Sequence, residues 1–246
     1  MNTQTRFYQR LQTETHAERS ALLASPLIQH AISGHMTAKQ YLAFLEQAYQ
    51  HVRHTTPLLR LMATKMSDDR LWLVPALEEY AREEEGHEHW ILSDIAAAGG
   101  QPDLSAAKPP LIDTLAMVAS AYFQIEHDNP IGFFGMVHVL EGTSVRVASH
   151  AADQIQASTG LPDSAFTYLR SHGDLDTEHV QYFETLVEQL TLEDQACLLR
   201  CANGFFVLYR RMFEGIAQAV GLGSAAHPSH SEALVVCAPI HLAGSP

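Results

Sequence analysis

The residues best suited to chemistry lie in Ser171-His172-Gly173-Asp174-Leu175-Asp176-Thr177-Glu178-His179, where His172, Asp176 and His179 stand at i, i+4 and i+7. On a helix, at about 100° per residue, the three fall within about 60° of one another on one face. Two imidazoles and a carboxylate converging on one point can grip a divalent transition metal. The plain alternative is a solvated helix face in a chain whose compositional outlier is its 15 histidines. Ligand-type residues earlier in the chain weigh against that alternative. Glu84 and His87 are three apart in Glu83-Glu84-Glu85-Gly86-His87-Glu88-His89, the spacing by which helix bundles turn a carboxylate–histidine pair inward. Glu83 or His89 lies near the same face and can stand in for either member. Leu77, Tyr80, Trp90 and Ile91 put an apolar stripe beside the pair.

Glu141 sits in a segment apolar on nearly every side, Ile131 to Val145. A buried carboxylate is costly unless it is paired or bound to a metal, so Glu141 has either an arginine such as Arg146 or a cation as partner. His138, one turn earlier, is a neighbouring polar group of that site or a satisfied core histidine. The helix expected from Ala43 to Leu59 offers His51 first, then His54 and Glu46. Glu84, His87, Glu141, His172, Asp176 and His179, with His51, are too many ligands for one tetrahedral zinc. They suit two oxygen-loving redox metals sharing a carboxylate, which points to two irons per chain.

The elements that must position these residues are all helical, for the apolar periodicity is 3.6 nearly throughout and no alternating strand is evident. The expected order is Thr3 to Leu23; Pro26 to Ser33; a long helix from Thr37, capped with Gln40 and kinked at Pro57, to Met66; and another from Asp68 or Asp69 to Gly99-Gly100. A connector, Gln101 to Pro110, leads to helices over Leu111–His127, Pro130–Ser158, Pro162–Leu190 with an interruption near Gly173, and Thr191–Val220. No repeat or long linker divides the chain. The expected architecture is one all-α helical bundle over residues 1–221, followed by a tail, 222–246, disordered or docked through its run Ala233-Leu-Val-Val-Cys-Ala.

Composition narrows the partners. With 28 acidic against 15 basic residues the formal net charge is -13, which disfavours nucleic acid and anionic membrane. Neither a signal peptide nor a membrane span is legible, so a soluble, cytoplasmic protein is expected. Cys197, Cys201 and Cys237 form no disulfide or metal pattern.

Taken together, Glu84-x-x-His87, Glu141 and His172-x3-Asp176-x2-His179 resemble, in order and separation, the motif of the heme-oxygenase-like di-iron oxidases and oxygenases, the iron-containing redox enzymes. The likeness covers about Thr3 to Gly221. It implies a heme-oxygenase/TenA-like fold, two irons with O2 as co-substrate, a small amine or carboxylic acid as substrate, an external electron donor and a homodimer. Family members often carry a further glutamate on the earlier core helix; here His51 stands near that place, with Gln47 and Gln50 beside it. Phe133, Phe134, Tyr122 and Phe123 are candidate cavity walls. The rival readings are relatives of the same fold. In heme oxygenase an axial histidine would correspond to His16, but no glycine-rich distal helix is visible around Gly132 to Gly142. Thiaminase II carries its cysteine mid-chain, whereas Cys197 and Cys201 lie on the last helix. Cofactorless pyrroloquinoline quinone synthase would keep histidines for proton transfer without needing three carboxylates, and a non-catalytic binding protein would leave Glu141 needing an arginine.

Overall fold

A computed structural model describes residues 6–222, and within them all side chains except those of residues 174–178. The tail expected at 222–246 lies outside the described residues apart from Leu222. The described chain is a bundle of α-helices with short 3-10 turns and no strand among the described residues. In chain order the helices are α1 Phe7–Glu14, α2 His16–Leu23, α3 Pro26–Ile32, α4 Ala38–Val52, α5 Thr55–Thr64 and α6 Val74–Glu83. They continue as α7 His87–Ala97, α8 Pro102–Ala107, α9 Ile112–His127, α10 Phe134–Thr159, α11 Thr167–Val187 and α12 Leu192–Ala219. Helix α10 packs along both α11 and α12, α4 crosses α7 and α9, and α5 lies on α6.

Local chemistry explains where the helices start. Thr37 accepts from the Gln40 amide while the Gln40 side chain accepts from the Thr37 amide, a reciprocal cap for α4. Thr191 caps α12 through the Asp194 amide. The carboxylate of Asp194, buried to 1% exposure, takes a two-pronged bond from Arg70 at 2.7 and 3.0 Å and another from Asn129.

Several breaks differ from the periodicity reading. The first helix divides at Thr15, whose hydroxyl donates to the Leu11 carbonyl at 2.6 Å. The long helix expected from Thr37 to Met66 ends at Val52, ahead of Pro57, which sits at the third position of α5 where its missing amide costs little. The connector after Gly100 contains α8. By contrast α11 runs through Gly173 without interruption. That glycine serves packing: a Cβ there would strike the Ser149 hydroxyl and come within 3.2 Å of its backbone nitrogen, so its absence lets α10 and α11 lie close.

One apolar core runs through the bundle. Tyr41, Tyr80, Phe133, Phe134, Phe166 and Phe183 are almost wholly enclosed, each such side chain being worth about 1.5–3 kcal/mol of transfer free energy. Of the carboxylates and imidazoles singled out above, Glu84, His87, Glu141, His172, His179 and His51 lie inside it.

Candidate metal centre

The pair Glu84/His87 is built differently from its spacing. Glu84 ends α6 and His87 begins α7, and the two helices are separated by Gly86 at φ +95°. That left-handed backbone is open to glycine and costly for a residue with a Cβ. The turn folds the two side chains together, and His87 Nδ1 lies 3.1 Å from Glu84 Oε2. That contact is a hydrogen bond between the imidazole and the carboxylate.

Glu84 is the hub. Its Oε2 also lies 3.9 Å from His172 Nε2, and its Oε1 lies 3.9 Å from His179 Nδ1. His179 Nδ1 is in turn 3.9 Å from Glu141 Oε1. One carboxylate therefore faces two imidazoles through one oxygen and a third imidazole, with a second carboxylate behind it, through the other. All five side chains are buried, Glu84 and Glu141 to 9% exposure. Glu84, His87 and His172 bring ligand atoms within 4.8 Å of one another. Burial pushes the Glu84 carboxyl up, but hydrogen bonds and charge from His172 and His87 outweigh it and hold it at about 2.

The orientation of the imidazoles follows from their other nitrogens. His172 Nδ1 donates to the Tyr168 carbonyl at 3.0 Å, which turns Nε2 toward Glu84. His179 Nε2 meets Glu83 at 3.1 Å, and the Tyr80 hydroxyl donates to the His179 carbonyl at 2.9 Å. His87 stacks on the half-exposed Trp90 with ring centres 3.9 Å apart. The register of α11 is set from α7: the fully buried Asp94 carboxylate accepts from the amides of Thr167 and Tyr168 at 3.1 and 2.8 Å. Asp94 carried no signal in the sequence, where an aspartate beside Ser93, on a helix that also carries Glu88 and His89, reads as a surface residue.

His51 lines the same cavity, of about 60 Å³, together with Glu84, Glu141 and His172. It is 1% exposed, and neither ring nitrogen has a hydrogen-bond partner among the described residues. Burial, then the neighbouring His172 and His54, pulls its pKa down to about 3, so the ring is neutral with a lone pair to offer. The other candidates on that stretch are engaged elsewhere. Glu46 accepts from Lys108 at 2.6 Å and Ser105 at 3.0 Å, and His54 Nδ1 meets the Tyr122 hydroxyl at 3.1 Å. Gln47 and Gln50 pin the backbone of the α8–α9 connector.

Arg146, the arginine weighed as a clamp for Glu141, reaches Gln12 at 3.3 Å. His89 is exposed beside Glu88. Of the aromatic candidates Phe133 lines the cavity, Phe134 packs on Phe183, and Phe123 is exposed. Tyr168 and Tyr209, cavity walls here, were not anticipated; only Tyr168, one turn before His172, had a spacing that could have shown it. The side chain of Asp176 lies outside the described residues. His16 is exposed at the start of α2, an unsuitable place for a buried axial ligand.

Residues 42–213, which carry the whole of this cluster, match the family model described as iron-containing redox enzyme. The chain belongs to that family. Among solved structures it is similar to a domain of unknown function with a heme oxygenase-like fold from Shewanella denitrificans, at 21% identity and TM-score 0.80, over 87% of this chain and 94% of that one. A TenA homolog from Pseudomonas syringae pv. tomato follows at 15% identity and TM-score 0.72, over 86% and 93% of the two chains. Heme oxygenase-1 from Synechocystis, solved in complex with heme, matches at 12% identity and TM-score 0.68, over 89% and 97%. At such identities these structures establish a shared heme-oxygenase/TenA-like all-α fold. No curated protein matches significantly. Among the described residues no helix is long and apolar enough to cross a membrane.

Proposed function

We propose that this member of the iron-containing redox enzymes is a non-heme di-iron oxidase or oxygenase, acting with O2 on a small metabolite that bears an amine or a carboxylate. The observation that carries the reading is the division of labour in Glu84, whose two oxygens face two separate groups of ligands, 3.1–3.9 Å away. A carboxylate so placed suits a bridge between two cations. The donor set, mixed imidazole and carboxylate, suits iron, and the His51 ring, whose nitrogens have no hydrogen-bond partner among the described residues, would add a neutral nitrogen as a further ligand.

When bound, the iron pair would supply electrons to O2 and a Lewis-acidic point for the substrate's polar group. The chain's own contribution is positional. Glu84 and Glu141 would neutralise the cations, His87, His172 and His179 would fix their places, and the Tyr168 carbonyl holds the His172 ring in one tautomer. Tyr80, Phe133, Met136 and Leu140 give the cavity an apolar wall.

The test is anaerobic loading with Fe(II), metal analysis, and stopped-flow mixing with O2. About two irons per chain and a transient visible band are expected, with iron content falling toward zero in Glu84→Ala and more than half lost in His172→Ala. Absence of uptake, uptake indifferent to both substitutions, or a Soret band with added heme would overturn the reading.

A further inference from the structure

We propose that Cys197, on α12, is a modification site for hydrogen peroxide, which converts it to a sulfenic acid, and that Cys201 is the residue that positions it for this reaction. The site stands apart from the iron reading: both thiols belong to α12, and neither lines the carboxylate–histidine cavity.

Cys197 and Cys201 occupy consecutive turns of α12 with their sulfurs 4.0 Å apart. The two are not equivalent. Cys197 Sγ accepts from Arg200 Nη2 at 3.5 Å and from Gln124 Nε2 at 3.8 Å. With two N–H donors already turned to it, Cys197 is the acceptor of the sulfur pair and Cys201 the donor. Three donors on one sulfur favour its thiolate, the form that attacks electrophiles. The hydrogen bond from Cys201, then the charge of Arg200, hold the Cys197 thiol below its ordinary range against burial, with Asp128 and Asp194 opposing to a smaller extent. Cys201 is pushed up, by the same hydrogen bond and by burial.

Packing fixes the donors. Gln124 also donates to the Asn129 carbonyl at 2.8 Å. It lies in space that only a glycine leaves, for a Cβ on Gly132 would fall 2.6 Å from its Cγ, Cδ and Nε2. Arg200 reaches the sulfur from the solvent side, with its side chain 64% exposed and Asp128 at 3.4 Å. Cys197 itself is buried, which suits a small oxidant better than a bulky one.

In the reaction the Cys197 thiolate attacks one oxygen of H2O2. An S–O bond forms, the O–O bond breaks and hydroxide leaves, so sulfur loses two electrons and peroxide gains them. A disulfide with Cys201 does not follow. Residues four apart on a helix have Cβ atoms about 5–6 Å from each other, whereas a disulfide needs about 3.5–4.5 Å. Closing that gap requires α12 to shift, and α10 stands in the way. A Cβ on Gly135 would lie 2.6 Å from the Ala202 nitrogen and 2.8 Å from the Cys201 carbonyl carbon, so the two backbones are already in close contact. The sulfenic acid is the product that persists in the folded chain.

The full chain, treated with a chelator so that no iron meets the oxidant, is exposed to graded H2O2 with dimedone present. Peptide mass spectrometry then reads Cys197, Cys201 and Cys237 separately. At about pH 7, Cys197 should carry about tenfold more adduct than either of the others. Cys201→Ala should slow its labelling by about tenfold, the effect of one hydrogen bond to a charged group, and Cys201→Ser, which keeps a donor, should restore most of the rate. A merely structural role for Cys201 would not separate the two variants in this way. Both are checked for folding by circular dichroism, and the distribution over the three cysteines of the native chain decides the matter even if neither folds. No adduct at Cys197, labelling led by or shared equally with another cysteine, or a Cys197–Cys201 disulfide in place of the adduct would overturn the site. A rate unchanged in folded Cys201→Ala, or not restored in folded Cys201→Ser, would overturn the role of Cys201.

Discussion

At the scale of single residues, what marks this protein is the number of histidines it buries uncharged. His51 is one; His138, on α10 one turn before Glu141, is another. His138 is enclosed by the rings of Tyr8, Phe183 and Phe206, and its Nε2 has no hydrogen-bond partner among the described residues. Burial, then the charges of Arg19 and Arg146, pulls its pKa down to about 3. In the unfolded chain a histidine titrates near about 6.5. Above that value both states are neutral and the histidine costs nothing extra. Below it the unfolded chain binds a proton that the folded chain refuses, so stability falls as pH falls, by about 1.4 kcal/mol per unit for each such group. Denaturant titrations of the metal-free protein should therefore show a steep loss between about pH 6.5 and 4. His138→Leu should flatten that slope by about 1.4 kcal/mol per unit and leave stability at pH 8 equal or higher, since it removes a buried polar atom with no partner. An unchanged slope would mean that His138 can protonate in place.

At the scale of elements, the site depends on two junctions that hydrophobic periodicity does not report. A pattern repeating every 3.6 residues continues across a turn as readily as along a helix, so Glu84 and His87 read as neighbours on one helix. The turn at Gly86 brings them together instead, and only the glycine hinted at it. The side chains that meet here, Glu84, His87, Glu141, His172 and His179, were legible in the sequence because carboxylates and imidazoles at such spacings are few; the anchoring of α11 by Asp94 was not, because it joins residues more than 70 positions apart. The caps at Thr37 and Thr191 were readable for the opposite reason, being local. A graded outcome follows for the two junctions. Gly86→Ala must hold a Cβ at φ +95°, costing about 1–3 kcal/mol. Asp94→Ala strips two amides of their acceptor, costing about 1–2 kcal/mol as for a lost helix cap. Both should weaken iron binding although neither residue is a ligand. Equilibrium unfolding together with iron titration checks this, and native affinity in both variants would show that the cluster is held by other means.

At the scale of the molecule, the same core that stabilises the fold confines the two carboxylates and three imidazoles that the proposed metal would bind. Glu84 and Glu141 come from α6 and α10, His172 and His179 from α11, and His87 from α7, so a metal bound among them ties four helices at once. Such binding is folding free energy, because the unfolded chain holds no comparable site. At a free metal concentration a hundredfold above Kd the gain is about 2.7 kcal/mol, and for a chain of this size each kcal/mol moves the midpoint by about 2–4 °C. Anaerobic Fe(II), or redox-silent Zn(II), should thus raise Tm by about 5–10 °C. The shift should shrink as pH falls, since protons compete with the metal for imidazole and carboxylate ligands. Glu84→Ala should abolish it, because that substitution removes the carboxylate both halves of the cluster share. A Tm indifferent to metal in the native chain, or a shift as large in Glu84→Ala, would mean that cations bind elsewhere and that the four helices meet at this pocket for some purpose other than gripping metal.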